Sequence, residues 1–454
     1  MVRVGALIVA LCLASAGGAQ EPEDAADRSD VVPPALRDFA NVLVDNEAPT
    51  TTGVGSWLKG EYLTGNWGGW RSHLSEAGVQ FAATYITDIL GNPVGGMNHK
   101  VRYTHDIGLD LLLDLQRLAH LPGSRFHFSI SSRAGHSLSD LDIGNVFNVA
   151  QTCCEPHTRI VNLAWQQYLF DETLDVHLGY LTTGDVFATS PLYWLFVNSG
   201  INANPASIGF NVPFSLYPDS ALGGRARWKP IPQFDLEMGV YNGSVITNAG
   251  MNDSLSVRFD DGALMIAEAG YHADLGTATE PLRGHYRLGG YYHTGRFRRF
   301  GAPPGSDLPR DVEHGSGAVY ALLDQAVWHA VATPTAHTAL VPFLALVGAP
   351  DQAINEFPFC FDAGLVLHAP LPHREDDALI FGILYGDFSS ALRDSQRAIG
   401  EPAQDFEMVL EWAYVYQVTP WFQLEPDVQY IIRPGGTGDI ADALVLGLEV
   451  SVNL

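Results

Sequence analysis

The sequence has no long hydrophobic run after its first residues. Beyond residue 19, no apolar stretch approaches the roughly 18 residues that a transmembrane helix needs. Charged residues are also scarce, at 17%, where soluble proteins usually carry about 25%. Hydrophobic residues nevertheless make up 46% of the chain and aromatic residues 11%. These absences exclude a bundle of membrane helices. Apolar residues spread over many short segments favour a β-barrel whose apolar side faces lipid.

Lysine is nearly missing, since only Lys59, Lys100 and Lys229 occur among the 25 basic residues. The formal net charge is −26, and so acidic a surface argues against a nucleic-acid partner. The remaining cations are arginines, whose planar guanidinium holds several hydrogen bonds in a fixed geometry. Such side chains suit a polar lumen.

Cysteine is rare, and three of the four cysteines lie beyond residue 19. Cys153 and Cys154 adjoin in a polar loop, where they either form a vicinal disulfide or stay reduced. Cys360 lies in an aromatic segment and is expected to act as a small apolar residue. The 16 histidines show no pair at the spacing of a helical zinc site, and no nucleophile motif stands out. The sequence therefore predicts no metal, no cofactor and no enzyme activity.

The N-terminus fits a secretory signal peptide, with Arg3 before an apolar core at Val4 to Leu13 and small residues after it. We place cleavage after Ala19, with Ala16 as the alternative. A membrane anchor is disfavoured because the core is too short to span a bilayer. The expected division is a signal peptide at 1–19, an acidic and proline-containing periplasmic extension at 20–60, and one barrel domain at 61–454.

From Val79 onward, apolar residues recur with a period of two, which is the pattern of β-strands. Each segment is about ten residues long, the length of a tilted transmembrane strand. A soluble β-sandwich could show the same alternation, but its strands are usually five or six residues long. We count sixteen segments: 79–89, 103–115, 124–133, 159–170, 173–182, 220–229, 233–242, 263–273, 284–296, 315–329, 335–348, 357–369, 377–388, 406–418, 421–432 and 442–454.

The last segment alternates strictly up to the final residue. Leu444, Leu446 and Leu448 fall on one face, whereas Val445, Gly447 and Glu449 fall on the other. A closed membrane barrel needs a complete last strand, because lipid cannot satisfy the hydrogen bonds of an open edge. The sequence therefore predicts an all-β, antiparallel transmembrane barrel of about 16 strands. A Gly-rich turn and a short periplasmic helix at 61–78 precede it, with Gly78 as the helix stop signal.

The connections alternate in length. Short turns at 171–172, 229–232 and 419–420 are expected to face the periplasm. Longer stretches at 134–158, 183–219, 297–314 and 389–405 are expected to lie outside the cell or to fold into the lumen.

Three ordered stretches resemble one known family. They are Leu63 to Arg71 (LTGNWGGWR), Leu178 to Ala188 (LGYLTTGDVFA) and Gln423 to Gly436 (QLEPDVQYIIRPGG). In this order they resemble the carbohydrate-selective porins of the OprB type, from about residue 61 to the C-terminus. The resemblance implies a sixteen-stranded outer-membrane channel of a Gram-negative bacterium for passive, diffusion-driven uptake of glucose-like sugars. It also implies an eyelet that pairs charged residues with polar and aromatic ones.

A lumen that favours sugars should present charged and amide groups to the hydroxyls and an aromatic platform to the ring, and bind weakly enough to release them. The inward parity of the strands supplies charged candidates for such an eyelet. Arg133 with Arg225 or Arg227, facing Glu237, is the first group to test. The full set of candidate lumen residues is Arg125, Arg133, Arg225, Arg227, Asp235, Glu237, Arg287, Glu407, Glu411 and Glu449, joined by Glu425 and Asp427 on the same parity.

Two other functions stay open at this stage. One is a general or differently selective porin for other small polar solutes, and the other is a secreted β-sandwich adhesin. The expected partners are outer-membrane lipid, permeating sugars, and the barrel-assembly machinery through the C-terminal strand. The sequence leaves open whether the barrel is a monomer or a trimer.

Overall fold

The chain forms one closed antiparallel barrel. The structure, a computed structural model, describes residues 57–153, 156–244, 261–276, 282–303, 305–306, 308–331 and 337–454. The predicted signal peptide and most of the 20–60 extension lie outside these residues. The strands are β1 (Val79–Val94), β2 (Val101–Asp114), β3 (Ser124–Gly135), β4 (His157–Leu169), β5 (Leu174–Leu181), β6 (Ala221–Ile231), β7 (Phe234–Asn242), β8 (Ala263–Asp274), β9 (Arg283–Arg298), β10 (Val312–Gln325), β11 (His337–Gly348), β12 (Phe359–His368), β13 (Ala378–Asp387), β14 (Phe406–Thr419), β15 (Phe422–Ile432) and β16 (Ala443–Asn453).

Each strand pairs with its sequence neighbour, and β1 also pairs with β16, which closes the sheet. A further segment, Trp328–Val331, pairs with β11 just beyond the part of β11 that pairs with β10. It therefore continues the line of β10 after a break at residues 326 and 327. The sixteen predicted segments correspond one to one with these strands, so the predicted barrel is confirmed.

The two faces of the strands separate as the period-two pattern predicted. In β14, the Trp412 side chain is 42% exposed on the outside, whereas its neighbour Glu411 is fully buried inside. In β16, Leu446 points outward at 46% exposure and Val445 is fully buried. The outer surface of the barrel is thus apolar and suited to lipid.

The loops also sort by length between the two ends of the barrel. The turns after β4, β6 and β14 are short, whereas residues 136–156, 182–220 and 388–405 form long connections at the opposite end. In outer-membrane barrels short turns face the periplasm and long loops face outside. The long-loop end is therefore the extracellular end.

The described residues also contain four short α-helices that are not part of the barrel wall, of which α3 lies inside the barrel: α1 (Trp70–Glu76), α2 (Leu115–Ala119), α3 (Ser207–Asn211) and α4 (Ser390–Ala398). A 3-10 turn at Trp67–Gly69 leads into α1, as the Gly-rich segment predicted. Gly78 follows α1 with a φ of +95°, a left-handed conformation that glycine adopts without strain. The predicted helix and its stop signal are confirmed. Among the described residues, no helix is long and apolar enough to cross a membrane.

Arg71 of α1 connects the first and last strands across the barrel seam. Its guanidinium donates to the carbonyl of Phe81 in β1 at 3.2 Å and to the carbonyl of Leu454 at 2.9 Å. The same group stacks over the Tyr62 ring at 3.6 Å and the Trp67 ring at 4.4 Å. The segment before β1 therefore fastens the C-terminal end of the chain.

We expect Arg71→Ala to lower the thermal stability of the folded barrel by a few degrees, since hydrogen bonds to a charged group contribute about 1.5–3 kcal/mol. The measurement is the temperature at which the folded, fast-migrating gel band disappears. Lys59→Ala, an exposed cation of the same segment, is the matched control. Equal transition temperatures for Arg71→Ala and Lys59→Ala would show that the seam does not depend on this contact.

The cysteines behave differently from one another. Cys153 is disulfide-bonded, which excludes the reduced alternative for this residue, and Cys154 lies outside the described residues. Cys360 is free and 1% exposed on the inner side of β12. Its packing agrees with the predicted role as a small apolar residue.

Candidate functional site: a one-sided lumen

The loop after β3 is called L2 here, and its described residues, 136–153 and 156, fold into the barrel and bind carboxylates of the opposite wall. The backbone amides of Val146 and Phe147 donate to Glu407 of β14 at 2.8 to 3.0 Å. Gln151 donates to Glu449 of β16 at 2.6 Å, and Thr152 donates to Asp88 of β1. L2 therefore covers the inner faces of β14, β16 and β1.

The loop after β5, residues 182–220 and called L3 here, crosses the interior. The Ala188 amide donates to Glu268 of β8 at 2.9 Å, and the Val197 amide donates to Glu411 of β14 at 2.6 Å. Asn198 donates its side-chain amide to Gln429 of β15 at 2.9 Å. L3 is thus fixed to two opposite walls by buried polar groups that its own backbone satisfies.

Apolar side chains fill the space between the two loops and strands β10 to β14. Phe196 of L3 packs against Phe343 of β11, with ring centroids 5.5 Å apart. Phe147 of L2 packs against Phe357, with centroids 5.1 Å apart. The inward positions of these strands, such as Leu384 and Val409, are fully buried. Glu407 and Glu411 were predicted to line the lumen, but this half of the interior is a packed core. Alternation alone misleads here, because it marks both carboxylates as inward without showing that L2 and L3 cover them.

The inner faces of β2 to β9 differ, because several charged side chains there stay partly accessible. Arg133, Arg225 and Arg287 point inward and keep 10%, 12% and 13% of their side-chain surface exposed. Arg125 and His127 on the same wall are also partly exposed. The open part of the lumen therefore lies between L3 and this wall, and we call it the passage.

Two arginines of β6 hold neighbouring carboxylates in the passage. Arg225 bonds Glu237 of β7 at 2.5 Å and contacts the His177 ring at 3.1 Å. Arg227 bonds Asp235 of β7 at 3.2 Å. Ion pairs of this kind fix each fork of donors in one orientation while part of it stays open to solvent.

The row of side-chain ion pairs, called the charge ladder here, continues onto the next strands. His272 of β8 contacts Asp235 at 2.8 Å, and His285 of β9 contacts Asp324 of β10 at 2.7 Å. Arg287 of β9 bonds Glu268, which also accepts from the Tyr320 hydroxyl at 2.9 Å. Acidic and basic groups thus alternate across five strands, β6 to β10.

Arg133 belongs to a separate group. It bonds Asp106 of β2 at 3.0 Å, donates to the Cys153 carbonyl at 3.0 Å, and lies over the Tyr217 ring at 5.3 Å. These residues line a cavity of about 370 Å³ between L2, L3 and strands β1 to β4, with Trp194 and Asn202 among the other lining residues. The cavity combines charged, amide and aromatic groups on a sugar-sized scale.

The structure therefore divides the predicted lumen residues. Arg225, Arg227, Asp235, Glu237 and Arg287 form one connected network, and the expected pairing of Arg225 with Glu237 is present. Arg133 does not join them, because Asp106 holds it elsewhere. Arg125 lies near Tyr168, with the guanidinium 5.1 Å from its ring. The carboxylates of the opposite wall are at most 3% exposed beneath L2 and L3: Glu407, Glu411, Glu425, Asp427 and Glu449.

Several residues of the passage were not among the sequence candidates. Asp106, His177 and Glu268 lie at inward parity on their strands, so the same alternation could have identified them. Trp194 and Tyr217 lie in L3, where no periodic signal marks a side chain as inward. Among the described residues, no cluster of His, Cys, Asp and Glu has the geometry of a metal site.

Asp185, in L3, carries a carboxyl group whose pKa is raised by its surroundings. Burial raises the pKa of its carboxyl to about 7 from 3.8, although the Asn162 hydrogen bond and the Arg225 charge oppose the shift. Because the folded pKa exceeds the unfolded value, the neutral form favours the docked loop. That stabilisation is complete below about pH 4 and is lost as the pH rises to about 7.

We expect the ratio of cation to anion permeability to rise between pH 6 and 8, since ionised Asp185 adds negative charge to the lumen. Reversal potentials in a salt gradient measure this ratio. Asp185→Asn should flatten the curve around pH 7, whereas Asp140→Asn, an exposed change in L2, should leave it unchanged. A curve that keeps its shape in Asp185→Asn would contradict the assignment.

A closed sixteen-stranded barrel with an apolar outer belt and a lumen narrowed by inward-folded loops defines an outer-membrane diffusion porin. A profile of the family described as "Carbohydrate-selective porin, OprB family" matches residues 98–454. The chain belongs to this family, and it provides passive diffusion of carbohydrates across the outer membrane.

Individual relatives agree with this membership. The chain is 28% identical to Porin B of Pseudomonas aeruginosa over 86% of its length and 90% of that protein. It is 23% identical to the putative porin QuiX of Acinetobacter baylyi, covering 87% of this chain and 93% of that one. The high-pH structure of Pseudomonas putida OprB matches the fold with a TM-score of 0.79 at 24% identity, over 87% of this chain and 99% of that chain.

Proposed function

We propose that glucose-sized sugars cross the barrel through the passage and contact two groups of side chains on the way. The first is the cavity around Arg133, Asp106, Trp194 and Tyr217. The second is the charge ladder, the row of ion pairs that begins with Arg225 and Glu237. The observation that carries the proposal is the one-sided lumen: L2, L3 and the apolar core fill one half, and the accessible charged groups lie on the other.

The chemistry of the passage fits a neutral polyol better than an ion. The guanidinium groups of Arg133, Arg225, Arg227 and Arg287 are each paired with a carboxylate, so a permeating ion finds little net charge of either sign beside them. A sugar hydroxyl both donates and accepts, and can therefore bond the carboxylate and the guanidinium of one pair at once. The rings of Trp194 and Tyr217 offer flat apolar surfaces to the sugar ring.

The cavity volume indicates the size of the sugar that fits at this one position. About 370 Å³ lies near the lower end of the ~300–1,000 Å³ typical of small-molecule sites. We therefore infer a preference for monosaccharides over longer oligosaccharides. The alternative, a porin with no sugar preference, requires that the paired groups act only as a solvated wall.

The test is the ionic current through single channels in planar bilayers while glucose is added. We expect a saturable reduction of the current at millimolar glucose, and a much smaller effect of a trisaccharide at equal concentration. If the current passes freely and no sugar reduces it, the general-porin alternative is correct. Liposome swelling with the same solutes gives an independent measure of permeation.

We also infer that residues 1–19 direct export and are cleaved, and that the C-terminal strand addresses the barrel-assembly machinery. The mass of the mature protein purified from the outer membrane tests the first point, with a start at Gln20 expected. We propose passive permeation as the activity of the protein and no catalysis.

A further inference from the structure

Arginines cluster on the outer side of the barrel at the extracellular end of β9. Arg296 and Arg298 both lie at exposed, outward positions of this strand, and His314 of β10 is exposed directly opposite Arg296 in the register. Arg299 and Arg310 lie in the connection that follows, where Arg299 pairs with Glu313 and Arg310 with Asp311 at 3.7 Å. We call Arg296, Arg298, Arg310 and His314 the rim patch. A concentration of cations is unexpected in a chain with a net charge of −26.

The apolar belt beneath the rim patch shows how high the patch lies on the barrel wall. The outward residues of β9 below the patch include Tyr286, Leu288 and Tyr292, all between 36% and 66% exposed. Aromatic residues mark the edges of the apolar belt in outer-membrane barrels. From Tyr292 to Arg296 the strand advances four residues, about 13 Å along its axis and about 10 Å in height at the usual tilt.

The patch therefore lies at or just above the boundary between acyl chains and headgroups on the outer side. A β-bulge between His314 and Ser316 in β10, with Gly315 at a φ of +83°, locally breaks the ladder beside it. Bulges at barrel rims re-aim side chains, and here the bulge leaves His314 on the same outer face as Arg296.

We propose that the rim patch binds the phosphate groups of a phosphorylated glycolipid in the outer leaflet, of the lipid A class. Such a lipid presents phosphate at the height of the patch and acyl chains along Leu288 and Tyr292 below it. Arginine is the suited cation, because its planar fork bonds two phosphate oxygens at once. Long side chains also reach down to the interface while their stems lie on the apolar wall. The inference concerns the outer wall and is independent of sugar permeation.

The test uses the full-length protein in detergent with defined bisphosphorylated lipid A, and native mass spectrometry to count bound lipid. We expect Arg296→Ser combined with Arg298→Ser to weaken lipid A binding roughly tenfold or more, since each cation near an anionic surface contributes about fivefold. Dephosphorylated lipid A should bind the wild-type protein as weakly as bisphosphorylated lipid A binds the variant. The matched control is Arg397→Ala, an exposed extracellular arginine on α4 that lies off the barrel wall.

The variant must first migrate as a folded, heat-modifiable band and keep the wild-type glucose response, which confirms an intact barrel. Equal lipid A binding by the variant and the wild type would overturn the proposal. So would equal loss in Arg397→Ala, or equal binding of dephosphorylated lipid A. Competition by millimolar inorganic phosphate alone would show that the patch recognises the free ion rather than the lipid, and would overturn it too.

Discussion

Replacing Glu407 and Glu411 together by alanine should raise the single-channel conductance several-fold. These two carboxylates accept the backbone amides of Val146 and Phe147 in L2 and of Val197 in L3. Without them the buried amides lose their acceptors, at about 1–3 kcal/mol each. The docked positions of both loops then become less favourable than exposure to water, and the lumen widens.

Glu401→Ala is the matched control, because Glu401 is an exposed glutamate of the connection between β13 and β14. The Glu407→Gln and Glu411→Gln pair tests the mechanism, since an amide oxygen still accepts a hydrogen bond. We expect an intermediate conductance for that pair. A folded alanine variant with wild-type conductance would show that Glu407 and Glu411 are not needed to hold the loops in the lumen.

Arg225→Ala should weaken glucose block about tenfold and shift the channel towards cation selectivity. The change removes the donors of one sugar-binding pair and leaves Glu237, 3% exposed, without its cation. Breaking a buried ion pair by removing one partner commonly costs 3–5 kcal/mol. Glucose titration of the channel current and reversal potentials in a salt gradient measure the two effects.

Two further variants separate charge from geometry. Arg225→Lys keeps the charge but loses the planar fork, so selectivity should stay near wild type while glucose block weakens. The double variant Arg225→Ala with Glu237→Ala removes both charges. It should restore the wild-type ion selectivity without restoring the block of the current by glucose. If Arg225→Ala leaves glucose block unchanged, this ion pair does not contact the sugar.

The barrel could be predicted from the sequence because alternation is a local property of each strand. In β14 the alternation of Trp412 and Glu411 shows which side faces lipid, and this does not depend on contacts with distant parts of the chain. The break in the line of β10 was missed because residues 326 and 327 are apolar and resemble strand continuation. Segment ends were correspondingly less certain than segment number.

The path through the lumen could not be predicted, because it depends on long-range contacts of the loops. Glu411 and Arg225 share the same inward parity, and nothing local distinguishes them. Their difference arises because the Val197 amide of L3, more than two hundred residues earlier in the chain, binds Glu411 and buries it. The alternation along each strand thus identified the inward residues. It could not show which of them L2 and L3 cover.

The central claim is that solutes cross on the β2–β9 side and not through the packed half. Its most direct test is the rate at which a charged methanethiosulfonate reagent modifies single cysteines and reduces the channel current. Ile86→Cys, on β1, lines the cavity between L2, L3 and strands β1 to β4, beside the passage, whereas Val409→Cys lies on the packed side and is fully buried. We expect the reagent to reduce the current through Ile86→Cys, more slowly when glucose is present, and to leave Val409→Cys unaffected. If the reagent rapidly reduced the current through Val409→Cys and left the current through Ile86→Cys unchanged, solutes would not cross on the β2–β9 side.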